Sequence, residues 1–205
     1  MTFHVILPPL ASEWASLLQY HEQDMRCMIT LPGIGGSGTD HWQSRWERAE
    51  PRFARFQPTD WDAPDLTDWI QSLERAVDAC QRPPVLVAHS LACLLVVHWA
   101  MQSSLKVAGA FLVSVPDPDG PGFPSAAASF RAVPHQPLRF PSLIVASTDD
   151  PYGALPYVRR CAANWQTGLV IAGALGHINA SSGLMDWTQG RDLLDAFCAG
   201  LSRSD

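Results

Sequence analysis

The sequence predicts an α/β fold, a doubly wound, mainly parallel sheet with helices on both faces. Three observations point there. Short apolar runs of strand length alternate with segments whose apolar residues recur at helical spacing. Clusters of Pro and Gly separate the two kinds of segment. The chain has 205 residues, of which 47% are hydrophobic and 17% charged, a size and balance suited to one well-filled globular domain.

Residues 1–25 read as an extension of uncertain structure. Trp14, Leu17 and Leu18 suggest a short helix there at best, and Met25 or Met28 could each serve as an alternative start. Residues 26–205 read as a single domain. Cys27 to Leu31 is the first strand, ended by Pro32 and followed by the turn Gly33-Ile34-Gly35-Gly36-Ser37-Gly38 and a helix that Thr39 or Asp40 could cap. A short strand follows at Phe53 to Gln57. Leu66, Trp69, Ile70, Leu73, Ala76, Val77 and Cys80 mark one face of a helix, with Asp65 or Thr67 near its N-terminus. Pro83-Pro84 stops the chain before a buried strand, Val85 to Ala88, and the apolar run Leu91 to Met101 has no polar face, so it reads as a buried helix. Val107 to Val113 is the next strand. Ser114 to Pro141 is rich in Pro, Gly and Ser, without periodicity, and could roof a site. Leu143 to Ala146 and Leu169 to Ile171 are the last strands, and a helix from about Asp186 to Leu201 closes the chain.

Composition excludes several function classes. The formal net charge is -6 and no basic run is present to neutralise phosphates, so a small-molecule substrate is expected rather than nucleic acid. The five cysteines contain no C-x-x-C pair and cannot close into a complete disulfide set, so they read as reduced, Cys93 as a small buried hydrophobe. The N-terminus lacks a basic segment and a cleavage site, and no run approaches a membrane span; a cytoplasmic location and no membrane partner are expected. No histidine–carboxylate spacing of the H-x-x-E-H kind occurs, so neither a metal nor a cofactor is expected.

Ligands of doubly wound sheets bind at the carboxyl ends of the strands. Three such ends carry polar residues suited to nucleophilic catalysis: Ser90, Asp150 and His177. Serine needs a base to become a useful nucleophile. Histidine can accept its proton near neutral pH, and a carboxylate on the far ring nitrogen fixes the tautomer and steadies the imidazolium. The chain order Ser, Asp, His is the one α/β-hydrolases use. Ala88-His89-Ser90-Leu91-Ala92 matches the nucleophile elbow G-x-S-x-G with alanine at both glycine positions. His41, His89, His98 and His135 compete for the base, and Asp149, Asp117 and Asp119 for the acid; His177 and Asp150 are favoured by their places after strands. Backbone amides of Leu91, after the nucleophile, and Ile34, in the glycine loop, fit the oxyanion hole, with the dipole of the helix starting at Leu91 adding to it.

Leu-Pro-Gly-Ile-Gly-Gly-Ser-Gly (31–38), His-Trp-Gln-Ser-Arg-Trp-Glu (41–47), Ala-His-Ser-Leu-Ala (88–92), Ser-Thr-Asp-Asp-Pro (147–151) and Gly-His-Ile-Asn (176–179) together resemble the small serine hydrolases related to retinoblastoma-binding protein 9, also called YdeN-like. The stretch from Trp61-Asp62-Ala63-Pro64 to Trp69 is similar to bacterial members. The resemblance spans nearly all the chain from Met28 onward. It implies an α/β-hydrolase fold with a minimal cap and a triad at Ser90, Asp150 and His177, and it names no substrate. The departure is Ala92, where the family usually has glycine.

Two other readings stay open. Gly33, Gly35 and Gly38 satisfy the dinucleotide fingerprint G-x-G-x-x-G, with Asp60 or Asp62 about twenty residues on, as in a Rossmann oxidoreductase. Trp42, Trp46, Trp61 and Trp69 could form the surface of a catalytically weak binding module. The reading preferred here is cleavage of an ester, thioester or amide through an acyl-enzyme.

Overall fold

The computed structural model describes residues 26–201, so the helix suggested at Trp14 to Leu18 and the alternative start at Met25 lie outside the described residues. Strands β1 (Met28–Leu31), β2 (Phe53–Arg55), β3 (Val85–His89), β4 (Gly109–Val113), β5 (Ser142–Ala146) and β6 (Gly168–Ile171) form one sheet in the order β2-β1-β3-β4-β5-β6. Every pairing is parallel; Leu31 faces Ala88, and Ala88 faces Leu112. The chain steps outward from β1 to β2 and then crosses to β3 on the other side. That reversal opens a crevice at the strand ends.

The helices are α1 (Trp42–Ala49), α2 (Leu66–Asp78), α3 (Leu91–Ala100), α4 (Leu155–Trp165) and α5 (Thr188–Leu201). Alternation along the strands sends neighbouring side chains to opposite faces. Leu86, Ala88, Ala110, Leu112, Ile144 and Ala146 join the cluster under α2, α3 and α4. Val85, Val87, Phe111, Val113 and Val145 join the one under α1 and α5. Both faces of β3 and β4 are therefore covered, which is why their sequences are apolar without alternation. All ten residues of α3 are buried, as its unbroken apolar run predicts.

Several boundaries differ from the sequence expectation. Neither Thr39 nor Asp40 caps α1; His41 does, accepting the Gln43 amide on its ring. At α2, as expected, Asp65 is the cap and accepts from the amide of Asp68. Helix α4 has no counterpart in the expected elements. Its burial pattern of Val158, Cys161, Ala162 and Trp165 is helical, but its N-cap is Ala154, which makes no side-chain bond, and a proline stands in its first turn. The aperiodic stretch after β4 holds a 3-10 turn, Ser125–Phe130, with Ala127 and Phe130 in the core. His98 Nε2–H donates to the Phe130 carbonyl at 3.2 Å and the Trp165 indole to the Pro134 carbonyl at 2.8 Å. These bonds tie the segment to helices α3 and α4. No helix of the described residues is long and apolar enough to cross a membrane.

Candidate active site

β3 delivers Ser90 into a sharp turn. Its backbone sits at φ 56 and ψ -126, a conformation rarely adopted by a residue with a side chain, held by Ser90 N–H donating to the Val113 carbonyl at 2.9 Å. The turn lifts the hydroxyl above the sheet at the N-terminus of α3. Alanines 88 and 92 are both fully buried and the elbow still forms. Room for it is made across the crevice. A Cβ on Gly33 would come to 2.9 Å from Ser90 Cβ and 3.2 Å from the His89 carbonyl oxygen, so the glycine loop touches the elbow only because position 33 has no side chain.

His177 follows β6, and four separate contacts hold its loop. Asp149 accepts from the Gly176 amide at 2.8 Å and Ser147 Oγ from the Leu175 amide at 2.9 Å. His89 Nε2–H donates to the His177 carbonyl at 2.9 Å, and the Trp42 indole N–H to the Ile178 carbonyl at 2.8 Å. The ring is thereby aimed both ways. Nδ1 lies 2.9 and 3.0 Å from the two carboxylate oxygens of Asp150, and Nε2 lies 2.8 Å from Ser90 Oγ. With Nδ1–H donating to Asp150, Nε2 is the acceptor of the serine hydroxyl. Asp150 is buried after β5 and also accepts from the Tyr152 amide at 2.9 Å.

Ile34 and Leu91 both line the cavity, and neither amide donates to a backbone carbonyl among the described residues. The loop bearing Ile34 is braced from behind. Gln43, buried, accepts from Ser37 Oγ at 2.8 Å and donates to the carbonyls of Leu31 (3.2 Å) and Val87 (3.0 Å), joining the ends of β1 and β3. The Arg55 guanidinium donates to the Gly36 carbonyl and is paired with Glu47. Preorganised donors of this kind suit a developing oxyanion.

The competing candidates have other employment. His98 is neutralised by burial against the 3-10 turn, and His135 accepts from the Asn164 amide on the surface. His89 is buried and held neutral, chiefly by desolvation. Asp149 supports the histidine loop, and Asp117 accepts from the Asp119 amide in a turn. Of the dinucleotide fingerprint, Gly33 is needed for its close approach to Ser90 and Gly35 for its positive φ, but a Cβ on Gly38 would meet nothing, while at Gly36, outside the pattern, φ is positive and a Cβ would press on Trp61. Asp60 closes a local turn by accepting the Asp62 and Ala63 amides. Trp42, Trp46 and Trp69 are buried in the cores and Trp61 packs against one, which accounts for their spacing without a binding surface. Among the described residues no group of three His, Cys, Asp or Glu side chains is placed to hold a metal ion.

A cavity of about 420 Å³ opens over Ser90. Phe123 and Pro124 line it from the stretch after β4 that was expected to roof a site, whereas sequence reasoning gave no place in the wall to Tyr152, the segment 179–181 or His41. His41 and Asn179 both lie within the motifs quoted above, and His41 stands there among the competing bases. The Tyr152 ring meets His177 edge-on, 4.6 Å between centroids.

Residues 28–196 match the serine hydrolase family. The chain belongs to this family. Its fold agrees closely with that of a YdeN-like hydrolase from Pectobacterium atrosepticum, at 31% identity over 90% of this chain and 97% of that one, with a TM-score of 0.80. The ydeN gene product of B. subtilis shares the fold at 19% identity, over 85% and 99% of the two chains, with a TM-score of 0.70. So does a monoacylglycerol lipase of Paleococcus ferrophilus, at 12% identity over 87% and 94%, with a TM-score of 0.64. A search of curated proteins finds no match. This YdeN-like serine hydrolase therefore has the α/β-hydrolase architecture its motifs imply.

Proposed function

We propose that this serine hydrolase cleaves a carboxylic ester, thioester or amide of small size through an acyl-enzyme at Ser90. The observation that carries the reading is the unbroken hydrogen-bond chain from Asp150 through His177 to Ser90 Oγ, with distances of 2.9 and 2.8 Å. His177 takes the serine proton as Oγ attacks the acyl carbon, and the negative charge on the tetrahedral oxygen falls between the amides of Ile34 and Leu91. The imidazolium, steadied by ionised Asp150, then protonates the leaving group. Water then attacks the acyl carbon as His177 takes its proton, the bond to Ser90 Oγ breaks to release the acid, and Oγ regains its proton from His177. The α3 dipole favours the oxyanion by adding partial positive charge at Leu91.

The first experiment is labelling of the purified protein with a fluorophosphonate probe, followed by peptide mass spectrometry. The expected result is an adduct on Ser90 that Ser90→Ala abolishes, together with a loss of ester turnover of about 10³-fold or more. A folded Ser90→Ala protein with unchanged turnover would sink the mechanism.

A further inference from the structure

Tyr152 belongs to the cavity wall and stands against the general base, yet the hydrolytic chemistry gives it no task. Its ring meets the His177 ring edge-on at 4.6 Å between centroids, and the residue is 41% exposed. His89, whose ring lies 5.0 Å from that of His177, is only 4% exposed, so Tyr152 presents the more accessible surface beside the base. Aromatic side chains lining a concave site supply apolar contact area to a ligand.

The backbone fixes where that ring stands. The Tyr152 N–H donates to the Asp150 carboxylate at 2.9 Å, and the Tyr152 carbonyl accepts from the Asp117 amide at 2.7 Å. Gly153 packs so closely on the segment after β4 that a Cβ there would come to 2.1 Å from the Val115 carbonyl oxygen. A Cβ on Gly122 would come to 3.0 Å from the ring of Tyr152, so the ring is backed by the same loop. A side chain held in place before a ligand arrives loses little freedom on binding. The adjoining wall, Pro116, Gly122, Phe123 and Pro124, offers no hydrogen-bonding side chain, and none of the described lining residues is Asp, Glu, Lys or Arg. Such a surface favours an apolar group over a charged one, which would lose water there without gaining a counter-charge.

The reaction decides which half of the substrate meets this ring. His177 protonates the departing oxygen, so that oxygen comes within hydrogen-bond reach of Nε2, and the group it carries leaves Ser90 on the His177 side. The acyl carbon is held at Ser90 Oγ instead, with its oxygen toward the amides of Ile34 and Leu91. We propose that Tyr152 is a specificity-determining residue that packs against the alcohol half of the ester, and that the preferred substrates are uncharged esters of apolar, aromatic alcohols. This rests on the hydrolytic reading of Ser90.

Three esters test it. Benzyl acetate carries a phenyl ring on the alcohol side, its isomer methyl phenylacetate carries the same ring on the acyl side, and methyl acetate carries none. kcat/KM for each is measured by acid titration at constant pH for wild type, Tyr152→Ala and Tyr152→Phe. Tyr152→Gln, polar and nearer in volume, serves where alanine impairs folding. Intrinsic reactivity cancels when ratios to methyl acetate are compared between proteins, and so does a general disturbance of His177, which lowers all three esters alike. Wild type should favour benzyl acetate over methyl acetate. That ratio should fall about three- to tenfold in Tyr152→Ala or Tyr152→Gln and be kept in Tyr152→Phe, while the ratio for methyl phenylacetate changes by less than about twofold. A benzyl ratio that does not fall, one that falls equally in Tyr152→Phe, or an equal fall for methyl phenylacetate overturns the proposal. Fluorophosphonate labelling keeps the two failures apart: a wild type labelled at Ser90 that does not favour benzyl acetate removes the role of Tyr152 alone, whereas an unlabelled wild type removes the hydrolytic reading on which it stands.

Discussion

Asp149 and Asp150 are adjacent and chemically alike, but the backbone sends them to different partners. Asp150 is buried with both oxygens at the His177 ring, whereas Asp149 takes the Ser147 hydroxyl at 2.6 Å and the Gly176 amide at 2.8 Å near the surface. Asp150→Asn should lower kcat by about 10³- to 10⁴-fold, because the amide cannot steady the imidazolium and favours the wrong tautomer. Asp149→Asn should cost less than about tenfold, through a looser histidine loop. Parallel kinetics on the two variants decide it, and the reverse ranking assigns the acid to Asp149. Gly33 and Gly38 make a second contrast within one loop. Gly33→Ala forces a methyl against Ser90 and the His89 carbonyl and should cost about 1–3 kcal/mol of stability together with activity. Gly38→Ala meets open space and should leave both nearly unchanged, which thermal melts and ester turnover would reveal.

At the scale of elements, α3 carries the most concentrated packing. It has no exposed face, and its first residue completes the elbow. Leu95 is fully buried at its centre, so Leu95→Ala should destabilise by about 2–5 kcal/mol in urea unfolding, while fluorophosphonate labelling of the surviving folded protein persists. The uninterrupted apolar run made α3 legible in the sequence, and the same holds for β3 and β4. Helix α4 was not legible because no capping side chain announces it, and its exposed Arg159 and Arg160 dilute the apolar positions. The loop after β4 lacked periodicity since its order comes from long-range bonds, such as Leu66 N–H to Ser129 Oγ at 3.2 Å, rather than from local repeats.

For the whole molecule, the buried imidazoles link stability to pH. His41 is held down to about 3 and His89 well below the ordinary 6.5, in each case first by burial. Protons therefore bind the unfolded chain before the folded one as pH falls through 6.5. The stabilisation is present above that value and is lost progressively towards pH 3, at up to about 1.4 kcal/mol per pH unit for each histidine. Urea midpoints measured between pH 7.5 and 4.5 should fall in wild type and fall less steeply in His41→Asn; equal slopes would show that His41 does not contribute. At lower pH still, Asp149, held below its usual range by the Ser147 hydroxyl and the Gly176 amide, adds to the loss. By itself the sequence determined the parallel α/β layering and the three strand ends bearing Ser90, Asp150 and His177, because these depend on local apolar runs and on chain order. Only the tertiary structure decided that Asp150 and not Asp149 faces the ring, that Gly33 is the glycine the elbow requires, and that His41 enters the cavity wall. Those outcomes depend on where side chains from β1, β3, β5, β6 and α1 converge, and residues 41, 90, 150 and 177 become neighbours only when the sheet is assembled.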